Sequence, residues 1–594
     1  MMKIWLNSAS SNQLRNVILS MDPSSRKRIL SLQVLQLSST LFEIFAIGII
    51  GIIGLVSISG TGNKIQSDKV DFALKLLRIN EFSLQGQVLA LSVIFILILL
   101  VKTILVMVTS QRILRVLARE TTRISNTLFG YVLNTSAKKI DLESKNTLNY
   151  VVNDAVDRTF LSLVANLSNL ISDFFMLVII FGLMMVVDLK TTLIAGIYFS
   201  IFGWFVLKRQ QRVAQESGRT ATNLKLGIAD KTFEAFRLKR ELNLRGAIPN
   251  YIFELSKSKL KLNSVNARII FLPVETRYFM EGSIILGAVL VCGMQFFLRD
   301  AAHAFGGIAI FLAAATRAVP AILRLQNEVV TIKAVQQAVS RTLDLIPLAV
   351  DFASKPKVSA LLNPEQLAFD IKFDLVTFRY DDEGPDIFAN LDVRIEENDY
   401  VAITGESGGG KSTFIDLLLG EVVPTRGRVL IGNQPSVQVC RNSGGRIAIV
   451  PQKVQLINGT VYQNISLTDT QSAEEIRKIE NLLREVNLFS DLKSLPNGLL
   501  TVLGDQGSMT SVGQQQRIGI ARALYSNPRI LILDEATSAL DEANEKTIVD
   551  IINALRGTLT ILTITHRPPF VVSADYELRV SGRTILEIRN PIGY

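Results

Sequence analysis

Apolar and polar positions divide this chain into two unlike halves. In the first, apolar blocks recur near residues 30–58, 86–110, 161–187, 191–208, 269–297 and 303–323. Each is close to the roughly 20 residues that a helix needs to cross a bilayer. The third and fourth blocks are parted only by Asp188, Leu189 and Lys190, which predicts a tight outer hairpin. Stretches 111–160 and 209–268 are basic, helix-compatible and nearly free of proline, so spans two to five should continue as helices into the cytosol. Between Ser59 and Gln85, Val70, Phe72, Ala73, Leu76, Leu77 and Ile79 alternate with Asp71, Lys75 and Arg78, predicting either a short amphipathic helix on the outer membrane face or a plain surface helix. Pro347, Pro356 and Pro364 should break helical continuity across 346–366. The expected order is a polar cytosolic segment 1–28, a six-helix all-α membrane domain 29–345, a linker 346–366 and an α/β domain 367–594.

Composition agrees with this division. A chain of 594 residues is too long for one core. Its 48% hydrophobic content and mean hydropathy of +0.32 are high for a wholly soluble protein. The net charge of +10 gathers after apolar segments, at Arg112, Arg115, Arg119 and Arg123 and again at Arg237, Lys239, Arg240 and Arg245. That placement follows the positive-inside rule and predicts a membrane surface as partner. No aromatics interleave with these charges as a strand-stacking surface requires, so nucleic acid is not expected. Two cysteines, Cys292 and Cys440, and two histidines, His303 and His566, leave no basis for a disulfide framework or a histidine-rich metal site.

The chemistry lies in the second half. Gly405-Glu406-Ser407-Gly408-Gly409-Gly410-Lys411-Ser412-Thr413 follows the strand-like run Tyr400–Ile403 and precedes the helix-like run Phe414–Leu419. In that setting a glycine-rich loop cradles phosphates with its backbone N–H groups. Lys411 neutralises their charge and the Ser412 hydroxyl reaches Mg²⁺. Downstream, Ile530-Leu531-Ile532-Leu533 is an apolar strand ending in Asp534 and Glu535. Asp534 at its tip suits Mg²⁺ and Glu535 suits the general base that polarises an attacking water. These elements predict a nucleoside triphosphate as ligand.

Between and after them lie Gly504–Gly507, Thr510-Ser511-Val512-Gly513-Gln514, Ser538-Ala539-Leu540-Asp541 and Thr565-His566. This ordered set resembles the ATP-binding cassette (ABC) transporter family, in the form of an exporter-type half-transporter: six spans followed by one P-loop cassette. The resemblance implies ATP and Mg²⁺ as cofactors. Tyr380 is similar to the aromatic residue that stacks on adenine. Gln452 is similar to the glutamine that senses Mg²⁺ and the attacking water. Ser511, Gly513 and Gln514 resemble the signature that binds ATP held by the opposite subunit. Asp541 resembles the loop residue that signals across the dimer, and His566 the switch histidine. Gly504–Gly507 resembles the short loop typical of exporter cassettes. Because such a site is shared between subunits, the resemblance implies a second copy of the chain as partner. One departure stands out: Thr510 and Val512 replace the usual Leu and first Gly of the signature. Val512 is expected to crowd the nucleotide and slow turnover without abolishing hydrolysis.

For the cargo, charges inside the spans are informative because each costs about 2.5–3.5 kcal/mol at the bilayer centre unless paired or hydrated. Lys102, Arg277 and Arg317 are the cations; Glu43, Asp173, Glu275 and Glu281 are the acids. Either they pair within the bundle, or the cations line a cavity and hold an anionic headgroup such as a pyrophosphate. Phe42-Glu43, Arg277–Gly282 and Arg317 with Pro320 look like features of bacterial flippases for lipid-linked oligosaccharides. That resemblance implies an ATP-driven flippase in the bacterial inner membrane with its cassette in the cytoplasm. An exporter of drugs or peptides shares every cassette motif and stays open. A nucleotide-gated regulator or channel is the rival of another class, and Glu535 with His566 argue against it.

Overall fold

The computed structural model describes residues 8–59, 74, 79, 81–135, 145–187, 189–298, 319–354, 367–381, 384–493, 497–503, 510–536 and 541–589. Most of the outer amphipathic stretch, Arg317, His303, Gly504–Gly507 and Ser538–Leu540 lie outside them, as does the side chain of Glu43. The chain divides into two compact units, with the boundary between Lys355 and Pro356.

The first unit is helical. Its elements are α1 (Ser8–Ser20), α2 (Pro23–Ser59), α3 (Leu84–Asn134), α4 (Ala165–Val187), α5 (Leu189–Arg237), α6 (Lys239–Leu244), α7 (Ile248–Leu298), α8 (residues 319–334) and α9 (Gln336–Ser354). Residues 145–164 lead into α4 as a helix wound partly in π turns, Val151–Ala155 and Arg158–Val164. At 1.5 Å per residue the 51 residues of α3 reach about 76 Å, far beyond a hydrocarbon core of about 30 Å. The 49 residues of α5 and 51 of α7 behave alike, so these helices do outrun any membrane, as their Pro-poor basic extensions predict.

Among the described residues, two helices pass a length and hydropathy test for crossing a membrane: Leu84–Asn134, with a window averaging 3.0, and Lys145–Gly182, at 1.9. Leu89, Ile96, Leu100, Ile104 and Met107 all stand exposed along α3. An apolar surface of that length is unfavourable in water and favourable in hydrocarbon. Leu74 and Ile79, from the connection between α2 and α3, pack on Ile49 and Leu91.

Pro347 does not end a helix. It sits inside α9, which runs on to Ser354. The backbone bond lost at a proline is offset by its neighbours Leu345, Ile346 and Ala349, all buried against Leu117, Ile124 and Phe160.

The second unit is α/β. A four-stranded antiparallel sheet has the order β2 (Phe388–Ile395), β1 (Ile371–Phe378), β4 (Arg426–Ile431), β5 (Gln434–Pro435). A six-stranded sheet runs β10 (Thr584–Arg589), β9 (Tyr576–Ser581), β3 (Tyr400–Gly405), β8 (Thr560–Ile564), β7 (Ile530–Asp534), β6 (Ile447–Val450). All its neighbours pair parallel except β10 with β9. Tyr400–Ile403, Ile530–Leu533 and Thr560–Ile564 are buried throughout, as continuous apolar strands covered on both faces must be. Helices α10 (Lys411–Leu419), α11 (Val512–Tyr525) and α12 (Glu542–Leu555) belong to this unit.

Candidate nucleotide site

Parallel pairing sends the C-terminal ends of β3, β6, β7 and β8 to one edge of the sheet. Register aligns Asp534 with Ile564, Ile403 with Ile564, and Val450 with Leu533. The residues that follow these ends therefore converge: the phosphate loop after β3, Gln452 after β6, Glu535 after β7 and His566 after β8. Ligands of open α/β sheets bind at this edge.

The loop's glycines are needed for shape. Gly405 has φ +138°, and a Cβ there would lie 2.5 Å from the Val580 carbonyl oxygen. Gly410, at φ +107°, caps the N-terminus of α10, so the loop's N–H groups and the helix dipole point outward together. Lys411 is buried, and its Nζ donates to the carbonyls of Gly405 and Glu406 at 2.9 Å each. Tyr380 stands at the rim, edge-on to Phe378, with its hydroxyl 3.0 Å from that of Thr413.

Opposite the loop, the Gln452 amide Nε2 donates to Glu535 Oε2 at 2.8 Å, while His566 Nε2 lies 3.9 Å from Oε1. Glu535 is held at φ +45°, a left-handed backbone uncommon for a side chain of this size. Its N–H bonds to the Ile564 carbonyl at 3.0 Å, which fixes the turn. Burial raises the Asp534 pKa, the adjacent Glu535 carboxylate adds to that, and Lys411 opposes both. A cation at this point would relieve the crowding.

Ser412 exposes its hydroxyl at the start of α10. With Asp534 and Gln452 it forms an all-oxygen set of the kind that suits Mg²⁺ held partly through water and phosphate. The residues fit the ion. Among the described residues no cluster of three or more acidic, His or Cys side chains could hold a metal alone.

Ser511 and Gln514 bond each other. Ser511 caps α11 by accepting from the Gln514 N–H at 3.2 Å, and the Gln514 side chain accepts from the Ser511 N–H at 3.0 Å. This capping box explains both residues locally. Val512 occupies the first helical position, half exposed, and Gly513 abuts Asn544, whose amide bonds Asp541. Sequence reading missed Gln516: its Nε2 donates to the Gln452 carbonyl at 2.8 Å and anchors that glutamine to α11. No spacing rule points to it, because the contact depends on where α11 crosses β6.

The profile of the ABC transporter family matches residues 388–538. Those residues form an ATP-binding cassette similar to that of ABC transporters. The cassette is not the whole of the likeness. An ATP-dependent lipid A-core flippase of Chromobacterium violaceum is 35% identical over 43% of this chain and 44% of its own. One from Burkholderia pseudomallei is 27% identical over 77% of this chain and 76% of its own. ABC transporter B family member 29, chloroplastic, of Arabidopsis thaliana is 30% identical over 56% and 50%. The first of these matches thus spans less than half of the relative's length. A bacterial Atm1-family ABC exporter solved with ATP bound superposes with a TM-score of 0.70 over 96% of both chains at 19% identity, which establishes the shared fold of cassette and helical unit.

Of the cargo trio expected from sequence, Arg317 lies outside the described residues, and of the other two Lys102 lines a cavity of about 510 Å³ between α2, α3, α4 and α8. Arg277 is exposed on α7 and paired with Glu281 at 2.9 Å. Glu275 pairs with Arg209 at 3.1 Å. Among the described residues the cavity's second cation is Arg324, outside the apolar blocks and so overlooked, which holds Asp173 at 2.9 and 3.0 Å.

Proposed function

We propose that the chain is an ATP-driven exporter that moves an amphiphile between the leaflets of a membrane. A homodimer in the bacterial inner membrane, with its cassettes in the cytoplasm, is the working form. One observation carries this reading: a cassette with a formed general-base constellation shares a chain with a helix unit that is apolar outside and hollow and polar inside.

In the cassette, Lys411 turns from its two carbonyls to the phosphates, and the loop amides orient them. Glu535, aimed by Gln452, accepts the proton of the attacking water, and His566 faces the same carboxylate from the other side. Mg²⁺, held by Ser412, Asp534 and Gln452, would supply charge neutralisation at the phosphates. Ser511 and Gly513 of a second copy complete the site. In the helical unit, Lys102 receives the anionic part of the cargo's headgroup. A polyprenyl-pyrophosphate-linked glycan fits that contact, and the flippase names of the relatives support a lipid-type cargo.

Proteoliposomes carrying fluorescent lipids test the reading. ATP with Mg²⁺ should move labelled lipid across the bilayer, and Glu535→Gln should cut both hydrolysis and movement by about 10²–10³-fold. Equal lipid movement with and without ATP would remove the proposal.

A further inference from the structure

The cavity in the helical unit has walls of unequal hydrogen-bonding character. Gln36 on α2 and Glu328 on α8 both line it, and each is about 94% buried. Yet Gln36 Oε1 and Glu328 Oε2 have no hydrogen-bond partner. Both atoms are acceptors. Ser39 and Thr40, beside Gln36, donate their hydroxyl protons to their own helix, at the carbonyls of Gln36 and Leu37, 2.6 Å away in each case. Only their oxygen lone pairs remain for the cavity. Neither hydroxyl therefore donates to the two orphaned acceptors. Buried acceptors left unpaired cost about 1–3 kcal/mol each, so a ligand that brings donors into the cavity is favoured.

The cations do not fill the need. Arg324 is engaged by Asp173 through two parallel bonds. Lys102 is the other cation on the wall, set against two acids, Asp173 and Glu328. A purely anionic headgroup would gain Lys102 but leave the Glu328 and Gln36 acceptors unpaired.

We propose that this cavity takes a zwitterionic headgroup, a primary ammonium joined to a phosphate, with the ammonium donating to Glu328 and Gln36 and the phosphate meeting Lys102. An ammonium has three donors and a compact charge, which matches a carboxylate and an amide oxygen lying on facing helices. The inference rests on the exporter reading and, in place of a purely anionic pyrophosphate cargo, selects amine-bearing phospholipids or amine-decorated phosphoglycolipids.

The test uses the full chain in detergent and three single-chain probes: lysophosphatidylethanolamine, lysophosphatidylcholine and lysophosphatidylglycerol. Calorimetric titration should show the ethanolamine probe binding about tenfold tighter than the other two, as one charge-assisted bond implies. Glu328→Gln and Gln36→Leu should each reduce that preference to about threefold or less. Equal binding of all three probes to the wild-type chain overturns the proposal; it is also the result expected if a second copy supplies the donors. An ethanolamine preference that persists in both variants overturns it as well. Should Glu328→Gln fail to fold, Gln36→Leu and the wild-type comparison decide. Lipid movement is read separately: ATP-driven flipping without headgroup discrimination sinks only this inference, whereas no ATP-driven flipping of any lipid sinks the exporter reading and leaves the binding result standing.

Discussion

Val512 is a departure in sequence that the backbone absorbs without difficulty. It begins α11 with its side chain half exposed, directly after the Ser511 cap. Nothing in the fold requires glycine there, in contrast to Gly513, where a Cβ would meet Asn544 Oδ1 at 2.9 Å. The isopropyl group therefore acts on whatever approaches the exposed end of α11, which in the proposed dimer is the triphosphate of the partner. Val512→Gly should raise kcat for ATP about three- to tenfold, equivalent to roughly 0.7–1.4 kcal/mol off the barrier. Melting of the variant should stay within about 1 kcal/mol of the parent, the usual cost of glycine in a helix. An unchanged or lower kcat would show that the valine does not crowd the site. At this scale the sequence was most legible where order carries chemistry. Lys411, Asp534, Glu535, Gln452 and His566 each end or follow a strand, and parallel strands bring such positions to one edge. Gln516 and Arg324 were illegible because their roles depend on which helices cross, and residue spacing holds no record of that.

At the level of elements, long helices could be read from apolar blocks with Pro-poor extensions, whereas their ties could not. One such tie is Glu120, ten residues beyond the apolar block of α3. Its buried carboxylate accepts from the Ser25 hydroxyl at 2.6 Å, the Asp22 N–H at 3.1 Å and Arg123 at 2.9 Å, pinning the α1–α2 corner to α3. Burial alone would raise its pKa, but the Ser25, Asp22 and Arg123 contacts outweigh burial, and the pKa falls below the usual 4.5. A depressed carboxylate stabilises the fold above its unfolded pKa and loses that contribution as pH drops through the folded value. Glu120→Gln should thus cost about 2 kcal/mol at pH 7, through lost charge-assisted bonds. The gap between parent and variant should hold from pH 8 to 6 and narrow below about pH 4.5. Thermal unfolding in detergent across that range checks the trend, and amide exchange over residues 8–25 should quicken in the variant. A gap that widens on acidification would contradict the assignment. Pro347 teaches the converse lesson. Read alone it signals a break, yet packing of Leu345, Ile346 and Ala349 carries α9 past it.

For the whole molecule, the decisive question is whether each ATP is shared between copies. Within one chain, Ser511 and Gln514 satisfy each other in a capping box, and Lys411 rests on its own loop carbonyls. Each half of the site is thereby stable in isolation, and each presents an open face: the exposed start of α11 in one case, the loop amides in the other. Mixing two defective chains separates a shared site from a self-contained one. Lys411→Ala removes the phosphate contact, and Ser511→Arg blocks the signature with a long charged side chain. Alone, each variant should be inactive whichever arrangement holds. In random pairs, half of the dimers are mixed, and a mixed dimer has one site built from an intact loop and an intact signature. Shared sites therefore predict recovery of about one quarter of parental ATPase activity, since one site in four is whole. Self-contained sites predict none, because every chain carries a damaged half. The measurement is phosphate release from co-reconstituted variants at equal amounts, with the separately reconstituted variants summed as the baseline. Activity no greater than that baseline would remove the shared-site arrangement, and with it the homodimer as the catalytic unit.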